Sequence, residues 1–358
     1  MNPYSANSGM LQYLASDGVP TREVPMWAHD MEYLVKAYEW MMLTRTFDQK
    51  AVALQRTGQI GTYPSCLGQE AIAVACGMAL DDNDVLVPYY RDHGAQLVRG
   101  YNLHELLLYW GGDERGSNAG PAQDLPICVP IATQAGHAVG IASAMKIRGE
   151  QQAVLCSIGD GGSSKGDFLE ALNLAGTWHL PVVFIINNNQ WAISVPRHLQ
   201  SGAASLAQKG IGAGIHSVQV DGNDMIAMLD VVQDALERAR DRKGPTLIEA
   251  ISYRLGDHTT ADDASRYRDQ QDVESAWQRE PMLRMRQFLQ HQGAWNDTME
   301  QRWQDHCHTA VSKAVEQYQA VPPQPDEAMF DHLYAEWPGN LDDQLDLFAA
   351  KQSRASGQ

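Results

Sequence analysis

Apolar residues recur along this chain with two periods, and the alternation between them carries most of what the sequence says about fold. From Asp30, the residues Leu34, Val35, Tyr38, Met41 and Met42 share one face of a helix running toward Leu54, and Gly58 and Gly61 end it. A second helix is expected over Gly68–Leu80. The polar turn Asp81–Asp84 then leads into the short apolar run Val85–Val87, read as a strand. Directly after it comes PYYRDHG (88–94), a loop crowded with polar and aromatic groups, where function often resides. Residues 111–130, rich in Gly, Pro and Asn, read as irregular, and Ile131–Arg148 as a helix of small residues buried against another helix.

Ala153–Ile158 is a buried parallel strand that stops at Gly159-Asp160-Gly161-Gly162. Phe168, Leu172, Ala175 and Trp178 follow at helical spacing. Pro181 separates them from a second buried strand, Val182–Ile186, which runs into Asn187-Asn188-Asn189. Residues 202–214 read as loose, Val218–Val220 as a strand, Met225–Arg240 as a helix and Pro245–Tyr253 as a strand. Strand and helix thus alternate from 85 to 253, which predicts an α/β fold with a parallel sheet flanked by helices.

The ends behave differently. Residues 1–29 carry three prolines and no sustained period, as an arm would, and 30–270 form the α/β domain. GDHTTADDASRYR (256–268) has no period, 272–320 is helical with mixed charge, Pro322-Pro323-Gln324-Pro325 breaks the chain, and 326–348 is amphipathic. Residues 271–358 are therefore expected to form a helical C-terminal region packing on the domain.

Composition narrows the class. With 44% apolar and 20% charged residues over 358 positions the chain is globular. A formal charge of −17 without a basic stripe argues against nucleic acid as a partner. The five cysteines show no CxxC spacing, which fits reduced thiols more than a disulfide framework. No run approaches a membrane span, and the N-terminus has neither signal-peptide nor transit character, so a cytoplasmic location is expected.

In an α/β unit, loops leaving the carboxyl ends of neighbouring strands open on one sheet edge, so Asp160 and the asparagine run are expected side by side. Glycine–aspartate turns also end many strands for steric reasons alone, and GDGG by itself leaves that reading open. A dinucleotide fingerprint fails because the third residue after Gly161 is Ser164, and a phosphate-binding P-loop fails because Lys165-Gly166-Asp167 has the wrong order. What survives is a magnesium-type oxygen set: the Asp160 carboxylate, the Asn189 amide oxygen and a backbone carbonyl just past it. Gly161 and Gly162 leave room for a diphosphate near the following helix N-terminus.

This unit resembles the thiamine-diphosphate motif. The chain from about 30 to 340 is similar to the α subunit of the E1 component of 2-oxo acid dehydrogenase complexes. The motifs are TRTFDQKAVALQRTGQIGTYPSCLGQEA (44–71), VPYYRDHG (87–94), the GDGG and NNNQWAIS core, VDGND (220–224), PTLIEAISYR (245–254) and GDHTTADDASRYR (256–268). The resemblance implies that Asp160, Asn189 and the Trp191 carbonyl hold Mg²⁺. It also implies that Gly159, Gly161, Gly162, Tyr90, Arg91, Val129 and Ile131 surround the cofactor, Ile131 as the apolar residue beneath it. His258 is implied as the catalytic histidine of a flexible loop.

Two departures stand out. Asn187 replaces an arginine that many relatives carry, and Gly116-Ser117-Asn118 stands where branched-chain members show a histidine. The implied activity is oxidative decarboxylation of pyruvate and reductive acetylation of a lipoyl group on E2. A branched-chain 2-oxo acid and acetoin are the alternatives, and a non-catalytic diphosphate-binding protein is the distant one. The glutamate that the family sets against the cofactor's pyrimidine has no candidate here, which implies an obligate E1 β subunit in an α2β2 heterotetramer.

Overall fold

A computed structural model of the chain describes residues 9–118, 120–325, 328–331 and 333–355. Two compact units divide it, Met1–Tyr318 and Gln319–Gln358. In the first, the order is α1 (Met31–Arg56), α2 (Glu70–Ala79), β1 (Val85–Val87), α3 (His93–Val98), α4 (Leu103–Gly111), α5 (Thr133–Arg148), β2 (Val154–Gly159), α6 (Gly166–Trp178) and β3 (Val182–Asn188). A small hairpin follows, β4 (Trp191–Ala192) with β5 (Val195–Pro196), then the short helices α7 (Arg197–Gln200) and α8 (Gln208–Gly212). Next come β6 (His216–Asp221), α9 (Met225–Arg240), β7 (Thr246–Ile251), α10 (Gln270–Trp277), α11 (Pro281–His291) and α12 (Asp297–Ala320), which runs just past the division.

Five strands form one parallel sheet in the order β1-β2-β3-β7-β6. Strands β1, β2 and β3 are apolar at nearly every position because both faces are covered. On β2, Val154, Cys156 and Ile158 face α5 and α6 while Leu155 faces α1, α2 and α9; β3 repeats the division with Val182, Phe184 and Ile186 against Val183 and Ile185. The sheet is thus an α/β core with helices on both sides. The N-terminal arm covers its β6 edge: Leu11 bridges Val220 in parallel, and the Tyr13 and Leu14 amides donate to Asp224 Oδ2 at 2.7 Å each.

Several boundaries differ from expectation, each for a local reason. The small-residue helix starts at Thr133, because Ala132 adopts a left-handed φ of 72° and leaves Ile131 in the preceding turn. PYYRDHG is a loop only to Asp92, where α3 begins. The stretch read as loose contains α8. In the second unit, the expected continuous amphipathic segment is two helices, α13 (Ala328–Asp331) and α14 (Asp342–Ala355), interrupted at Pro338-Gly339. No helix among the described residues is long and apolar enough to cross a membrane.

Candidate active site

The carboxyl ends of β2 and β3 adjoin as anticipated, with the Asp160 amide donating to the Asn187 carbonyl at 3.2 Å. Beside them lies a cavity of about 300 Å³ whose wall includes Tyr90, Arg91, Ile131, Gly159, Asp160, Gly161, Gly162, Asn189, Trp191 and His258. Five separate stretches of sequence thus converge on one hollow. Val129 is not part of its lining and stands 49% exposed.

Asp160 sits at the floor, 1% exposed. Burial raises its carboxyl pKa; Gln200 Nε2, at 2.7 Å, and the neighbouring amides pull the other way. The three asparagines then divide the work. Asn187 is locked between the Tyr89 hydroxyl, to which it donates at 2.8 Å, and Ser252, whose hydroxyl donates to it at 2.8 Å; its side chain is no part of the cavity wall. Asn188 donates to buried Glu249 at 2.7 Å. Only Asn189 faces the cavity, donating to Gln69 at 3.0 Å and accepting the Trp191 amide at 3.2 Å.

Gly161 and Gly162 are required by the protein's own packing. A Cβ on Gly161 would fall 2.5 Å from that of Ala192, and one on Gly162 would fall 2.6 Å from Ile158 Cγ1 and 3.1 Å from Ile131 Cγ2. The loop after β3 is strained as well. Gln190 and Ile193 have φ of 72° and 55°, costly for any side chain and most for a β-branched one. Arg254, 0% exposed, holds that conformation by donating to the carbonyls of Trp191 (3.3 Å) and Ile193 (2.8 Å) and to the Tyr267 hydroxyl (2.7 Å).

Arg91, 2% exposed, stacks over the Tyr90 ring at 5.1 Å and donates to the Ser65 carbonyl, the His258 carbonyl (2.8 Å) and His258 Nδ1 (3.0 Å). An arginine only donates, so His258 accepts at Nδ1 and its ring proton resides on Nε2. Burial, then Arg91 and Arg254, bring the His258 pKa down to about 4, which leaves the ring neutral near pH 7. Burial and the Arg91 charge also lower Arg254, to about 10.

Neither arginine forms an ion pair with a carboxylate among the described residues, although both are buried. Asp262 reaches Arg254 through the Tyr267 hydroxyl, which bonds both, and buried charge without a direct counter-ion is expensive. One cation on the wall, Arg91, a second, Arg254, behind the Trp191 and Ile193 carbonyls, and a carboxylate on the floor suit the cavity to a ligand that brings both negative and positive charge. Gln134 Oε1 on the same wall and Gln200 Oε1 beside Asp160 are buried without a hydrogen-bond partner, further capacity unspent by the protein.

Comparison with known proteins agrees with this chemistry. Residues 38–327 match the family model described as dehydrogenase E1 component. The 3-methyl-2-oxobutanoate dehydrogenase subunit alpha of Mycobacterium tuberculosis is 41% identical, with 96% of this chain and 94% of the relative covered. The pyruvate dehydrogenase E1 component subunit alpha of Acholeplasma laidlawii is 39% identical (88% and 92% covered), and that of Bacillus cereus 34% (99% and 96%). The chain belongs to the dehydrogenase E1 family. It stands there as the α subunit of a 2-oxo acid dehydrogenase, in a family that depends on thiamine diphosphate and whose α subunits work with a β subunit and E2.

The sequence reading passed over Arg254, Gln69, Gln134 and Gln200. A signal existed for the first: an arginine just beyond the end of a largely buried strand lies on the ligand-binding edge of the sheet. The glutamines gave none, since their importance lies in partners far away in sequence.

Proposed function

We propose that this E1 α subunit provides the diphosphate- and Mg²⁺-binding half of a composite site for oxidative decarboxylation of a 2-oxo acid. The observation that carries the reading is one cavity lined both by a buried Asp160 with a single side-chain donor and by a buried Arg91 that forms no ion pair among the described residues. Asp160, the Asn189 amide oxygen and the Trp191 carbonyl would hold the metal ion. The Trp191 carbonyl retains a second lone pair beyond the one Arg254 uses. Arg91 would meet the diphosphate with charge-assisted hydrogen bonds, against the backbone of Gly161 and Gly162. Ile131 gives the wall an apolar body, and neutral His258 offers an Nε2–H donor at the edge of the cavity.

Bound thiamine diphosphate supplies the electron sink for loss of CO₂. This chain's residues orient it, keep its charged end from water and place one neutral imidazole beside it. Among the described lining residues the carboxylate is Asp160, already committed to the metal, so the glutamate for the pyrimidine end would come from an E1 β subunit in an α2β2 assembly. The lipoyl group of E2 would take the acyl product.

For the substrate, pyruvate is the first reading, in keeping with the name carried by the Acholeplasma and Bacillus relatives. A branched-chain 2-oxo acid is the second, favoured by the 41% identical relative. Gly116–Asn118 does not decide between them. A Cβ on Gly116 would fall 2.3 Å from the Tyr109 backbone nitrogen, so packing on α4 fixes that glycine, and neither Gly116 nor Ser117 is among the residues lining the cavity.

Co-expression with the β subunit and assay over a panel containing pyruvate, 3-methyl-2-oxobutanoate and acetoin tests both levels. Turnover of pyruvate alone, or of the branched acid, fixes the substrate. No turnover, together with no shift in melting temperature on adding thiamine diphosphate and Mg²⁺, sinks the reading.

A further inference from the structure

We propose that Asp48, on α1, is a positioning residue for this half-site: it fixes residues 63–67 and, through them, both Arg91 and the loop that carries His258. The inference rests on the reading given under Proposed function. Asp48 is 1% exposed and accepts three hydrogen bonds from one short stretch without regular structure: the Tyr63 hydroxyl at 2.9 Å, the Ser65 hydroxyl at 2.6 Å and the Cys66 amide at 2.7 Å. It forms no ion pair among the described residues. A carboxylate kept from water without a counter-cation costs free energy that an apolar side chain here would not, so its retention asks what those three bonds secure.

They secure two things. The Ser65 carbonyl accepts from Arg91, the cation on the cavity wall. Tyr63 pairs with Thr260 through both backbone carbonyl (2.9 Å) and amide (3.0 Å to Thr260 Oγ1), and the Leu67 carbonyl accepts the Leu255 amide at 3.2 Å. Residues 255 and 260 bracket His258, so the loop hangs on the 63–67 stretch at both ends. A shift of that stretch moves the anion-binding arginine and the histidine together.

Asp48, Cys66 and His93 also lie close enough to one another to hold a metal ion. Their valences are largely spent. Three donors occupy most of the Asp48 carboxylate, the Trp110 indole donates to His93 Nε2 at 2.9 Å, and burial holds the Cys66 thiol well above its usual pKa. The cluster is a fixed internal network.

The test is Asp48→Asn in the full chain co-expressed with its β subunit, with Trp110→Phe as a control that cuts the same buried cluster away from Ser65. Affinity for thiamine diphosphate at saturating Mg²⁺ and amide hydrogen exchange over residues 255–262 are the two readouts. Asp48→Asn should weaken cofactor binding by about tenfold and speed exchange in the loop. Trp110→Phe should lower the melting temperature and leave both readouts alone. Should Asp48→Asn not fold, Ser65→Ala removes a single donor and should move both readouts in the same direction by less. A lowered melting temperature with wild-type affinity and exchange makes Asp48 merely structural and overturns the proposal. If the wild type itself binds no thiamine diphosphate, the functional reading has failed, and unchanged loop exchange in the variant still overturns the positioning role.

Discussion

Asp160 and Asp224 occupy similar motifs, GDGG and VDGND, each just beyond a strand of the same sheet, and both are buried to within 1%. Burial raises the carboxyl pKa of each. Their surroundings are opposite. Asp224 caps α9, accepting the Ile226 and Ala227 amides at 3.1 Å each, and its other oxygen takes the Tyr13 and Leu14 amides of the N-terminal arm. Four donors from two segments use up its lone pairs. Asp160 has the single side-chain donor Gln200, a strained loop opposite it and a cavity above. Burial marks neither as functional; what separates them is how many of their lone pairs the protein itself has used.

That difference predicts a crossed outcome, the largest effect expected. Asp224→Ala leaves four amides short of a partner and should cost about 3 kcal/mol or more in unfolding free energy, with cofactor affinity unchanged in the protein that folds. Asp160→Ala removes a desolvated carboxylate, so the melting temperature of the cofactor-free chain should hold or rise. Mg²⁺-dependent binding of thiamine diphosphate should fall by at least about a hundredfold. Paired thermal melts and titration calorimetry read both. Loss of stability in Asp160→Ala with intact binding would reverse the assignment of the two residues.

Arg254 sharpens the contrast from the cationic side. A buried guanidinium whose carboxylate, Asp262, reaches it through the Tyr267 hydroxyl gives little net stability, yet this one holds the Trp191 and Ile193 carbonyls in a left-handed turn. Arg254→Met should therefore leave the melting temperature within about 2 °C of wild type and weaken cofactor binding by about tenfold. A large stability loss with normal affinity would make Arg254 part of the scaffold, in the company of Asp224.

How much of this was legible beforehand follows the same division. The sheet was readable because its central strands β2 and β3 are apolar on both faces and end at glycine and asparagine, and the neighbourhood of Asp160 and Asn189 followed from parallel topology alone. The role of each asparagine was not readable. Asn187, Asn188 and Asn189 are adjacent in sequence, but their partners are Tyr89 with Ser252, Glu249, and Gln69, and only packing decides which one faces the cavity. The two glycines were expected to make room for phosphate; the protein's own packing gives a second reason for them, since a side chain at either would meet Ala192 or Ile158. Spacing reveals which residues meet. It does not reveal which are already satisfied.

The smallest effect concerns His258, whose pKa falls from 6.5 to about 4 through burial and the two arginines. Between those values the unfolded chain holds a proton on this residue that the folded chain refuses, so the residue makes stability rise with pH through that window and adds no slope above it. His258→Gln keeps an acceptor for Arg91 and cannot titrate. Its urea midpoint, relative to wild type, should therefore be higher at about pH 4.5 than at about pH 7.5. Buried His93, lowered to about 3, is common to both proteins and cancels in the difference. The comparison reads the combined effect of burial and of the Arg91 and Arg254 charges on the ring. If the two proteins keep a constant difference across the window, burial and the two arginines do not lower the ring, and the contrast with Asp224 loses its cationic half.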